Sequence, residues 1–211
     1  MSAHPARRVH LETERLTLRA FTLADADALV ALDGDPVVMR WLTGGVATPR
    51  EEIARRILPG FIAASACGDG YGVWAAESRA TGEFLGWFAF RPTDGATAQR
   101  GEVSLGYRLR RAAWAQGFAT EGARALIHQG FRKSGVQRVV ATTYQENQAS
   151  RRVLEKAGLR LIRRYRPTPA ELAASATFVP GGEVWDGDDL EYAITRAEWE
   201  RQVAAEEARD G

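Results

Sequence analysis

Apolar and polar residues alternate most cleanly at 103–109. Val103, Leu105, Tyr107 and Leu109 fall on one side, with Ser104, Gly106 and Arg108 between them and Glu102 just before. That period of two predicts a strand with one buried face. After Gly117 the period changes: Ala119, Ala123, Leu126, Ile127, Gly130 and Phe131 recur at helical spacing. The stretch from Arg110 to Gln116 is therefore a turn feeding a helix start. The first N–H groups of a helix have no partner inside it, and with the helix dipole they form a natural seat for phosphate.

The other patterns build around this unit. Residues 1–9 read as a loose tail and residues 11–21 as one opening strand. Thr22 then caps a short helix, and Asp35-Pro36 restarts the chain into a second, whose Val37, Val38, Trp41 and Leu42 keep helical spacing. Thr48-Pro49-Arg50-Glu51 has the form of a helix start, with Thr48 as cap and Glu51 reaching back, for a helix running to about Ala66. Gly68-Asp69-Gly70 breaks it, and two strands follow at 71–77 and 83–90. Residues 92–100 form a polar loop before the central strand.

Beyond the central helix, the β-branched run 138–144 predicts a buried strand beside 103–109. Asn147 caps a helix that Gly158 ends, and 159–165 is a further strand. Residues 166–188, with Pro167, Pro169, Pro180, Gly181, Gly182 and Gly187, form a long irregular loop: a lid, a homodimer contact, a substrate selector or a variable surface loop. A last strand at 190–195 leads into a helix opened by Thr195 and Glu198. The whole reads as one α+β domain over 1–211, with a mixed sheet of about seven strands flanked by helices.

Charge narrows the function without naming it. Lys and Arg number 28 against 27 Asp and Glu, a balance that leaves no footprint for nucleic acid or an anionic membrane. No stretch approaches the ~20 apolar residues of a membrane span and no apolar signal core opens the chain, so a cytoplasmic location is expected. The single cysteine, Cys67, lies in an alanine-rich stretch and reads as a small buried apolar residue. His4, His10 and His128 are too scattered for a metal site or a catalytic triad, and no metal is expected.

Four pieces in order, Gly106-Tyr107-Arg108-Leu109, Trp114 to Glu121, Asn147 to Ser150 and Glu155 to Leu159, resemble the GNAT superfamily of acetyl-CoA-dependent N-acetyltransferases. The likeness is to its RimJ/RimL-like branch and runs from about Leu11 to Tyr165. The resemblance implies a sheet splayed between its fourth and fifth strands, here 103–109 and 138–144, with acetyl-CoA as co-substrate. It implies that the backbone of Leu109 and Arg110 pairs with pantetheine. The N–H groups of Trp114, Ala115, Gln116, Gly117, Phe118, Ala119 and Thr120 would hold the pyrophosphate, and Asn147 and Ser150 would touch the same cofactor. On the acceptor side it points to Met39, Trp41 and Leu42, with Trp87 as a wall of the cleft; a core role is open for each. Two departures stand out: Trp114 where Arg or Gln is common, and Ala115 where Gly is commoner, which is harmless if its φ is negative.

The reaction is attack of a neutral amine on the thioester carbon. A lysine-like amine of pKa about 10.4 is handicapped by roughly 4–5 kcal/mol at pH 7, and an α-amine of pKa near 8 by only about 1. Relatives carry a basic carboxylate where this chain has Ser104. Glu102, two residues earlier on the same strand face, is either that base acting through water or a strand-end ion-pair residue. The Leu109 N–H, freed by the splay and a bulge near Gly106, would stabilise the oxyanion. No Tyr occurs in 145–164 to protonate the leaving thiolate; Ser150 matches a serine proposed for that task, or simply bonds the first helical turn. Three functions follow: acetylation of a protein or peptide N-terminus, acetylation of a small cationic amine opposite the acidic 183–191 segment, or a catalytically weak acyl-CoA-binding module.

Overall fold

The computed structural model describes residues 8–66, 70–93, 99–133, 135–166 and 187–210. His4, Cys67 and the 167–186 part of the long loop lie outside them. The sheet has eight strands in the order β1-β2-β3-β4-β5-β6-β8-β7: β1 (Val9–Glu12), β2 (Leu16–Ala20), β3 (Gly72–Ser78), β4 (Phe84–Pro92), β5 (Glu102–Leu109), β6 (Arg138–Tyr144), β7 (Arg160–Tyr165) and β8 (Asp189–Thr195). The eighth comes from the N-terminal stretch, where one strand was expected. Thr13 folds the chain back: its N–H donates to Leu16 O, its hydroxyl accepts from Leu16 N–H, and the opening strand becomes a hairpin. Arg8 and Val9 are not tail either, since Arg8 O accepts from Ala20 N–H and the Arg8 guanidinium donates to Ser65 O.

Helices cover both faces. On one lie α1 (Ala26–Asp33), α2 (Pro36–Thr43), α3 (Arg50–Glu52) and α4 (Leu58–Ala66), with a π-helical turn at Ile53–Ile57 joining the last two. On the other lie α5 (Phe118–Lys133), α6 (Gln148–Lys156) and α7 (Arg196–Asp210). The alternation of β4 feeds both cores: Trp87 and Ala89 pack with Leu29, Leu32, Val38 and Ile53, while Phe88 and Phe90 pack with Ala123, Leu126 and Phe131. A fully buried Phe such as Phe88 contributes about 2–3 kcal/mol in this way.

Several expected caps are present. Asp35 accepts from Val37 N–H, Asn147 Oδ1 accepts from Ser150 N–H, and Glu198 accepts from both the N–H and the hydroxyl of Thr195. Thr48 is the exception. It is buried and its hydroxyl donates to Asp33 Oδ2, so α3 starts at Arg50 behind Pro49 without a Thr48 cap. A tertiary carboxylate won the hydroxyl from the local helix end. Among the described residues no helix is long and apolar enough to cross a membrane.

Candidate active site

The site begins where two strands part. β5 and β6 are parallel and pair only at Glu102↔Arg138, Val103↔Val139 and Ser104↔Val140, although both run further. On the other side of β5 the register with β4 is unbroken from Gly86↔Leu109 to Pro92↔Val103. Arg110 N–H donates to Leu85 O and Glu102 O accepts from Thr93 N–H, so the even-numbered residues of β5 aim their backbone groups at β4. The odd-numbered ones aim at β6, and beyond Ser104 they meet no strand. Leu109 thus turns its N–H into the gap. The bulge expected near Gly106 is absent. The irregularity lies across β4, opposite β3, next to Gly86. Gly86 has φ +141°, and a Cβ there would collide with Arg108 O, so only glycine lets β4 close on β5 beside Leu109.

The loop from β5 to α5 disposes of its own polar groups first. Ala113 N–H donates to Arg110 O and Trp114 N–H to Arg111 O, in a 3₁₀ turn at Arg111–Ala113. The Trp114 indole N–H donates to Leu109 O at 2.7 Å. Two expectations are corrected here: the Trp114 N–H is not free for pyrophosphate, and both backbone groups of Arg110 are already bonded within the protein. Ala115 has φ +58°, not the negative value that would make an alanine there harmless, and Gly117 has φ +85°. Gly117 O accepts from Glu121 N–H, which makes Gly117 the cap of α5. The N–H groups of Phe118, Ala119 and Thr120 follow, and as the first three of the helix they have no acceptor in it.

A clamp holds this helix start. Glu121 Oε1 accepts from the Thr13 hydroxyl and Arg15 N–H, and Oε2 from Arg15 Nε at 2.7 Å. Arg15 also donates to Gln116 O and lies 4.7 Å over the Phe118 ring. Partial burial works to raise the Glu121 pKa, but the bonds from Thr13 and Arg15 outweigh it and hold it below its ordinary value. A Cβ added at Gly117 would meet only Arg15 Nη2, at 3.2 Å. Orphan N–H groups and an open approach at Gly117 fit a pyrophosphate, and the unpaired edge of β5 fits the amide chain of pantetheine.

On the α1–α4 face the carboxylates are occupied. Glu102, 8% exposed, accepts from Arg138 Nη1 at 2.5 Å and from the Thr93 hydroxyl at 3.1 Å, at the closed end of the gap. That geometry is an ion pair at the strand end. Asp33 is paired with Arg108 at 2.5 Å, and Glu191 with Arg163 at 3.0 Å and Arg138 at 3.6 Å. Asp188 is paired with Arg164 and Arg166. Asp188 and Glu191, at the described end of the acidic segment, are therefore matched by arginines.

The apolar candidates divide. Met39, 1% exposed, takes the core role that was open to it. Its place on the inner side of α2 is what the helical spacing concealed. Trp87 is core as well, packed edge-on against Phe61 beneath the Arg108 guanidinium, its indole N–H without a protein acceptor. Trp41 stays partly exposed, stacked on its neighbour Arg40. Across the gap, Ser150 meets Tyr107, whose phenol oxygen lies 3.0 Å from the serine hydroxyl. Sequence reasoning treated Tyr107 as one more apolar-face residue; no local signal ties it to a serine 43 positions on.

Diverging parallel strands beside a helix start with free N–H groups are the arrangement that the GNAT resemblance implies for an acyl-CoA thioester. The model for the acetyltransferase (GNAT) domain matches residues 15–160, and the chain belongs to this family of acetyl-CoA-dependent N-acetyltransferases. The FsC-acetyl coenzyme A-N(2)-transacetylase of Aspergillus fumigatus is 30% identical over 195 residues, which are 90% of this chain and 78% of the relative. A GNAT acetyltransferase structure from Bacillus anthracis superposes with a TM-score of 0.70 at 24% identity, covering 89% of this chain and 98% of that one. RimL, the ribosomal L7/L12 alpha-N-protein acetyltransferase, in complex with coenzyme A, superposes at 0.65 with 21% identity over 89% and 98%, a likeness of fold.

Proposed function

We propose that this enzyme acetylates an α-amine, the free N-terminus of a protein or peptide, as a member of the RimJ/RimL-like branch. The observation that carries the reading is the pairing of Asp33, Glu102 and Glu191 with arginines. A carboxylate tied to a guanidinium is a poor base and attracts a second cation weakly. Such a site suits an amine that is already partly neutral at pH 7, and an α-amine of pKa about 8 is one. Polyamines and amino sugars, with several fixed charges, lose the counter-charge that an open acidic loop would offer them. The name of one relative agrees in kind, since it places that enzyme's transfer at an N(2) nitrogen.

Within this reading the roles are as follows. The N–H groups of Phe118, Ala119 and Thr120, with those of Ala115, Gln116 and Gly117, hold the pyrophosphate, and the side-chain amide of Asn147 holds the pantetheine arm. Acetyl-CoA supplies the activated acyl carbon. The Leu109 N–H stabilises the negative charge that develops on the carbonyl oxygen. Water takes the proton from the amine, Glu102 and Arg138 fix the closed end of the gap, and the Ser150 hydroxyl serves the departing sulfur. Trp41 lies on the acceptor side.

The test is CoA thiol release from acetyl-CoA with N-terminal peptides, their N-formylated forms, aminoglycosides and polyamines, each product identified by mass. Turnover of free but not formylated peptides is expected. Turnover of an aminoglycoside or polyamine alone would transfer the reading to small cationic amines. Binding of acetyl-CoA with no turnover of any acceptor would leave an acyl-CoA-binding module.

A further inference from the structure

Tyr107 sits on β5 two residues before Leu109, on the face toward α5 and α6, where pairing with β6 has already ended. Its ring packs against Phe88, and its phenol oxygen reaches the first turn of α6, 3.0 Å from Ser150 Oγ and 3.2 Å from Ser150 O. This contact bridges the two sides of the gap at its cofactor face. Burial pushes the phenol pKa up to about 12, against a smaller opposing effect of the Ser150 bond, so Tyr107 keeps its proton throughout the working range of an enzyme. A phenol that stays protonated is a dependable donor and a poor source of a proton to give away.

We propose that Tyr107 is a positioning residue for Ser150, donating its hydrogen bond to the serine oxygen so that the serine O–H is left to point at the sulfur of the leaving thiolate. Ser150 N–H is already bonded to Asn147 Oδ1, which fixes the backbone, and Tyr107 then fixes the side-chain rotor. The chemistry balances without proton loss from either hydroxyl. The amine lone pair forms the C–N bond, the C–S pair leaves on sulfur, and the ammonium proton passes to water. The thiolate gains a hydrogen bond from Ser150 while its negative charge is greatest. Were the phenol proton on Ser150 O instead, the phenol oxygen would accept the serine O–H and turn it away from the sulfur. The proposal rests on Ser150 serving the sulfur, and its test separates the two.

The experiment is a double-mutant cycle on the full chain with Tyr107→Phe, Ser150→Ala and the pair, using an acceptor that turns over. Each variant is assayed for kcat, KM for acetyl-CoA, CoA affinity and thermal unfolding. The expected result is a fall in kcat of about tenfold for either single variant, little change in KM or CoA affinity, and no further fall in the double. Ser150→Thr, which keeps a hydroxyl, should recover most of the rate. If Ser150→Ala turns over like the wild type, the role of Ser150 fails and the proposal with it. If Ser150→Ala is slow and Tyr107→Phe is not, or if the two losses multiply in the double variant, Ser150 stands and the positioning role of Tyr107 is overturned.

Discussion

The indole N–H of Trp114 donates to Leu109 O at 2.7 Å, so the residue that begins the phosphate loop ties off the strand end that precedes it. The bond occupies the carbonyl of Leu109 and leaves its N–H to the gap, which sets the direction from which an acyl oxygen can be met. Trp114→Phe keeps most of the ring and removes the donor. The indole is 41% exposed, so water replaces part of what is lost, and stability should fall by only about 0.5–1 kcal/mol. CoA affinity should fall by about fivefold as the loop loses its anchor. Calorimetric titration with CoA and thermal unfolding read the two; unchanged affinity would make the bond irrelevant to the cofactor site.

Gly117 at φ +85° combines a backbone that disfavours side chains with a place immediately before the orphan N–H groups of α5. Gly117→Glu should reduce CoA binding by more than about a hundredfold, because a carboxylate would face the phosphates, while backbone strain costs about 1–2 kcal/mol of stability. Gly117→Ala carries the strain without the charge and should keep CoA within about tenfold of the wild type. Equal losses for the two variants would assign the effect to strain and take the pyrophosphate away from this loop.

Sheet and helix boundaries were legible wherever a period was clean, as in 103–109 and Phe118 to Phe131, because one buried face imposes it. The hairpin at Thr13 to Arg15 was not. Its turn contains no Gly, Pro or Asn, and it is held from outside by Glu121, 106 positions away from Arg15. For Met39 the core and acceptor-side roles stay open in the sequence for a related reason: helical spacing gives two sides and does not say which one meets the sheet. Ala115 at φ +58° is the kind of backbone state a sequence conceals, since a left-handed alanine is stable only when its loop is fixed by bonds such as that from Arg15 to Gln116 O. The motif residues pointed to one candidate site, and the hydrogen bonds among them, above all Tyr107 to Ser150, required the fold.

Glu102 is the point at which the base and ion-pair readings differ in outcome. Glu102→Gln keeps the shape and the bond from Thr93 but removes the charge facing Arg138. As an ion pair with only 8% of Glu102 exposed, its loss should cost about 1–3 kcal/mol and lower the melting temperature, with kcat at saturating substrate within about threefold and the pH–rate profile unshifted. A loss of kcat by a factor of about a hundred with the alkaline limb retained would instead make Glu102 the base.

His10 gives the N-terminal strand a pH response. Its ring is stacked on Trp74 at 3.8 Å, and its Nε2 is buried without a hydrogen-bond partner among the described residues. Burial, together with the positive charges of Arg8 and Lys133, brings its pKa down from 6.5 to about 4. Above pH 6.5 the ring is neutral in both the folded and the unfolded chain and adds no pH dependence. As the pH falls from about 6.5 to about 4, the unfolded chain takes up a proton that the folded chain refuses, so stability declines through this window. His10→Phe preserves a ring against Trp74 and cannot titrate. Urea unfolding at pH 7.5, 6.0 and 5.0 should therefore show the wild type losing stability relative to the variant at each lower pH. His128, whose pKa is also lowered by burial and Arg132, is common to both proteins and cancels in the comparison. Parallel pH profiles for the two would mean that His10 takes up its proton as readily in the folded chain as in the unfolded one, and that the stack on Trp74 opens in solution.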